Sequence, residues 1–116
     1  MSAKIYNEFG YINISENLIA NIAGLSATEC YGVVGMASKK STDGIVQLLK
    51  GENLSKGVKV TQKEGKVSID LFVIIEFGVK ISVVAENIIE KVKYNVEKQT
   101  GLKIEKINVI VESVRV

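Results

Sequence analysis

Between Lys66 and Phe77 the chain reads KVSIDLFVIIEF, and every second residue from Val67 through Ile69, Leu71, Val73 and Ile75 to Phe77 is apolar. Successive side chains of a strand point to opposite faces, so this spacing predicts a long strand with one face in a core. The other face begins polar with Lys66, Ser68 and Asp70 and turns apolar at Phe72 and Ile74. Upstream, GVKVTQ supplies an antiparallel partner through a turn at Lys63-Glu64-Gly65, where Gly65 accepts a positive φ. A strand of this kind needs a layer over its apolar face, and two segments carry helical spacing.

The first follows GYINIS, a short strand. Ser15 is placed to cap a helix in which Leu18, Ile19, Ile22, Ala23, Ser26 and Cys30 share a face. Gly32 ends it, and VVGMAS begins another strand. The second follows Gly78, with Ser82 as the expected cap, Ile81 packing back on the first turns, and Ala85, Ile88, Ile89, Val92 and Val96 as the buried stripe. Gly101 closes that helix and LKIEKINVIVESVRV is a last strand, with Ile107, Val109 and Val111 on one side and Ile110, Val114 and Val116 on the other. In the polar middle, Ile45, Leu48 and Leu49 between Asp43 and Gly51 predict a short helix within a long connection.

The order is β-α-β-β-β-α-β: an α+β two-layer sandwich, a mostly antiparallel sheet with its two main helices on one face. Residues 1–9 are expected as a tail and residues 10–116 as one domain, a length that supports a single core. Two helices cover one sheet face only. Phe72, Ile74, Ile110 and Val114 are therefore expected on the open face, where an apolar patch serves self-association or a partner. Folding of the Ile45–Leu49 loop over that face is the alternative.

Composition excludes several chemistries. With no His, the chain lacks the commonest general base and metal ligand. Its one cysteine, Cys30, cannot form an internal disulfide or a thiolate cluster; it reads as a small hydrophobe and points to a reducing compartment. No catalytic, cofactor or metal site is expected. Asp70, with Glu112 as a candidate neighbour, reads as a solvated strand face rather than an acid–base pair. No apolar run is long enough to cross a bilayer, so membrane association is expected only through a partner.

Fifteen Lys and Arg against thirteen Asp and Glu leave a charge of +2, with Arg115 the one arginine, a weak footprint for nucleic acid. One local pattern nevertheless resembles an RNA clamp: Gly32-Val-Val-Gly35 has the G-x-x-G form of KH-domain loops, with Lys39 and Lys40 nearby. A KH-like RNA-binding module is the alternative function, although valines occupy positions where such loops carry a basic residue.

The order of motifs from Val67 to Val111, VSIDLFVIIEFGVKISVVAENIIEKVKYNVEKQTGLKIEKINVIV, resembles the alkaline shock protein family, the Gls-type general stress proteins of the Gram-positive envelope stress response. The matching pieces are the alternating strand ending in an aromatic residue and Gly, the Ile opening a helix with VAENI, the TGL, and the final Ile107-Asn108-Val109-Ile110-Val111 strand. Upstream, ISENLIANIAGLSATECYGVVGMAS is similar to the family's first helix and GV-x-G-M strand, and NLSKGVKV to the small, YloU-like branch. Where the family often carries Pro and Glu after the helix-opening Ile, this chain has Ser82, Val83 and Val84. The resemblance implies a non-enzymatic, cytoplasmic, self-associating protein of envelope homeostasis, held near the membrane by a membrane-anchored partner.

Overall fold

The computed structural model describes residues 2–38, 48–49 and 51–116. Strand β6 (Lys66–Glu76) is its axis. One edge of β6 carries two antiparallel strands end to end: β5 (Val58–Lys63) pairs from Val58↔Leu71 to Lys63↔Lys66, and β3 (Val33–Ala37) pairs Val33↔Ile75 and Met36↔Val73. The other edge carries β7 (Ile104–Arg115), parallel to β6 and reached through helix α2 (Ile81–Thr100). Parallel pairing demands such a crossover, whereas β5 and β6 need only the Glu64-Gly65 turn, in which both residues have positive φ. Strand β4 (Leu48–Leu49) extends the sheet beyond β3.

Helix α1 (Glu16–Thr28) and α2 lie together on the face formed by Val67, Ile69, Leu71, Val73 and Ile75, all at most 1% exposed. Ser15 caps α1 as its position predicts, its hydroxyl accepting from the Leu18 amide at 3.1 Å. The buried face of α1 is Ile19, Ala20, Ala23, Gly24, Ser26 and Ala27, and Leu18 stands outside it at 47% exposure. The small residues let α1 approach closely: a Cβ on Gly24 would lie 3.3 Å from Leu54, in a 3-10 helix at Gly51–Gly57. The buried stripe of α2 is Val84, Ile88, Val92 and Val96. The one buried polar side chain recorded in the core, Ser26, donates to Ile22 O at 2.7 Å and accepts from Asn95 at 2.9 Å, tying α1 to α2.

The α+β sandwich stands, with several corrections to its parts. Residues 1–9, expected as a tail, include strand β1 (Ser2–Asn7), which pairs along its whole length with β2 (Gly10–Ser15). This ribbon is a sheet of its own, and Ala3 and Ile14 at its root belong to the core. Helix α2 begins one residue earlier than Ser82 suggests: Lys80 is its N-cap, without a side-chain capping bond, and Ser82 lies in the first turn. Of the expected helix between Asp43 and Gly51, Leu48 and Leu49 are strand, because they pair with Ala37 and Met36; Ile45 lies outside the described residues.

Candidate functional site

On the face of the sheet away from the helices, β6 presents Ser68, Asp70, Phe72 and Ile74 beside Lys106, Asn108, Ile110 and Ser113 of β7. The lower half is polar. Asp70 accepts from Asn108 at 2.8 Å and stands opposite Lys59 of β5. Glu112 is exposed at an irregularity in β7, so Asp70 and Glu112 form no acid–base pair.

The four residues expected as an apolar patch do not share one environment. Phe72 and Ile110 are cross-strand neighbours and half-buried. Ile74, expected in solvent, is 0% exposed, as is Ala37. Val114 is 43% exposed but registers with Ile75 on the helix-bearing face. A register shift between Val111 and Ser113 causes this, since one extra residue turns every later side chain to the opposite face.

The Gly32–Gly35 segment is not a loop. Gly32 closes the turn after α1 at φ +87, and its carbonyl accepts from the Glu76 amide at 2.8 Å. Gly35 is buried in β3 opposite Ile74. A backbone clamp for RNA needs free amides between its glycines, and here Val33 is already in the ladder with Ile75. Lys39 and Lys40 lie outside the described residues.

Cys30 follows α1, half-buried, with its Sγ 3.6 Å from Ser26 O. Burial pushes its thiol above the ordinary value, Lys91 opposes the shift, and Glu29 adds to it. A thiol held protonated is a poor nucleophile near neutrality. Cys30 is therefore expected to react with a disulfide reagent at pH 7.5 more slowly than the same residue in the unfolded chain. A faster reaction in the folded protein would contradict that placement.

The surface offers something different from the expected patch. Large apolar side chains stand in solvent around the ends of α2. Near its start are Tyr31 (81% exposed), Phe77 (67%), Ile81 and Val83. These come from three segments, the turn after α1, the end of β6 and the first turn of α2. The Glu76 and Phe77 amides are bound to Gly32 O and Arg115 O, at 2.8 and 2.7 Å, which holds this corner together.

The second group is on the β1–β2 ribbon. Tyr6 and Tyr11 are cross-strand partners with ring centroids 5.8 Å apart, and Lys4 lies 4.8 Å from the Tyr11 centroid. Phe9, at the tip, is 91% exposed, its amide bound to the Asn7 side chain at 2.8 Å. Exposed aromatic residues beside a cation are the composition of a contact surface rather than of a solvated loop. Among the described residues no group of three or more Cys, Asp or Glu is placed to hold a metal ion, and no helix is long and apolar enough to cross a membrane.

A small α+β domain whose conspicuous surface is apolar rather than chemically armed is the class of protein this geometry defines. The chain belongs to the alkaline shock protein family with a cell envelope-related function, whose model matches residues 4–116. It is 44% identical over 117 residues to YloU of Bacillus subtilis (strain 168), covering 100% of this chain and 98% of that protein. Spy1614 of Streptococcus pyogenes serotype M6 is also 44% identical, with 100% and 97% covered. YqhY of B. subtilis is 34% identical over 100 residues, 86% of this chain and 73% of that protein. No solved structure matches the chain.

Proposed function

We propose that this chain is a non-enzymatic interaction protein of the cell envelope, acting on the cytoplasmic side by associating with itself and with a membrane-anchored protein. The observation that carries this reading is the exposure of Tyr6, Phe9, Tyr31 and Phe77, each 67% or more, on an ordered domain. Aromatic residues cost little side-chain entropy to immobilise and lose much apolar surface to a partner, so they anchor contacts. The envelope-related family supplies the setting.

Two measurements test it. Sedimentation of the purified chain over a wide concentration range is expected to show growth in size; a monomer throughout would remove self-association. Fractionation of cells is expected to recover the chain with membranes, and protease treatment that strips membrane proteins is expected to abolish its rebinding. Equal binding to protein-free vesicles of the same lipids would replace the protein partner with lipid.

A further inference from the structure

The two exposed apolar groups lie at opposite ends of a long molecule. The principal extents are 52, 29 and 24 Å. At the C-terminal end of α2, Ile5 Cδ1 of the ribbon is 3.5 Å from where a Cβ on Gly101 would sit, and the tip with Glu8 and Phe9 lies farther along the ribbon. At the N-terminal end of α2, a Cβ on Gly32 would meet Val84 and Val79, so Tyr31 and Phe77 belong to that corner. A helix of 20 residues separates the two by about 30 Å.

The groups differ in charge as well as in place. The tip carries Glu8, whereas the far corner carries Lys80 at the helix cap and Arg115 beside Phe77. No salt bridge among the described residues engages Glu8, Lys80 or Arg115. Pairing like with like would set Glu8 against Glu8, or Lys80 against Lys80. Pairing unlike ends brings acid to base, and it offers Lys4, on the ribbon, a partner in Glu76 at the corner.

We propose that the ribbon tip of one copy docks on the α2 N-terminal corner of the next, Phe9 packing against Phe77 and Tyr31, with Glu8 facing Lys80 and Arg115. This deepens, and rests on, the self-association reading above. Such a contact joins two different surfaces, so each added copy presents a fresh tip and a fresh corner, and growth stops only where the rotation closes a ring.

The test uses Phe9→Asp and Phe77→Asp, both at exposed positions, whose melting temperatures are expected to match wild type. In sedimentation, wild type grows with concentration, each variant alone stays a monomer, and their equimolar mixture forms a one-to-one dimer. That dimer arises because one variant keeps the corner and the other keeps the tip. Dimers of either variant alone would show that like ends pair and overturn the proposal. So would the absence of a dimer in the mixture. Variants that assemble as wild type does would overturn this contact and leave self-association standing. A wild type that is monomeric at every concentration would remove both.

Discussion

Gly32→Val is expected to destabilise the domain by about 2–5 kcal/mol, adding the cost of a left-handed L-residue to that of overpacking. The position combines two demands. Its φ is +87, and a Cβ there would lie 2.9 Å from Val84 Cγ2, closer than carbon atoms can approach. Val84 is 3% exposed and cannot swing into solvent. Gly65 separates the two demands, since its φ is +78 but nothing lies within 4 Å of a Cβ. Gly65→Ala is therefore expected to cost only about 1–2 kcal/mol, the backbone component alone. Denaturant midpoints of the two variants check the ordering, and equal losses would show that the contact with Val84 relaxes.

Ile74→Ala is expected to lose about 2–5 kcal/mol, the range for deleting a buried branched side chain and leaving a cavity. Val114→Ala, by contrast, removes a side chain that already stands 43% in solvent and should change stability by about 1 kcal/mol or less. The pair matters because both residues read from the sequence as one surface patch. If Ile74→Ala unfolds at the wild-type midpoint, the side chain is not packed and the patch reading returns. Loss of assembly by Ile74→Ala without loss of stability would have the same meaning.

Much of the fold was legible because the signals were local. The alternation from Val67 to Ile75, the Ser15 cap and the Glu64-Gly65 turn depend on the residues themselves and their nearest neighbours. The patch was not legible, for two reasons. Parity counting assumes an uninterrupted ladder, and the extra residue between Val111 and Ser113 reverses it before Val114. The alternation also ran one step too far at Phe77: β6 ends at Glu76, and Phe77 enters the turn rather than the core.

The ribbon was missed differently. Ala3 and Ile5 alternate with Lys4 and Tyr6, but the turn Asn7-Glu8-Phe9-Gly10 lacks the two-residue glycine signature that announces a hairpin. Its chief local support is the Asn7 side chain accepting from the Phe9 amide, a bond visible only in three dimensions. An aromatic residue at a loop tip is the signal that could have found it, because nothing in the packing of a small domain requires Phe9 there.

The ribbon's own sheet has a mechanical consequence. The ladder bonds of β1 and β2 join them only to each other, so no shared ladder welds the arm to the body. It is fastened by the packing of Ala3 and Ile14 and by the continuation of Ser15 into α1. A joint of that kind can change its angle by repacking a few side chains while every strand of the main sheet keeps its partners. Bodies linked through such arms would form a chain that bends at its links, able to follow a curved surface without deforming the domains that compose it.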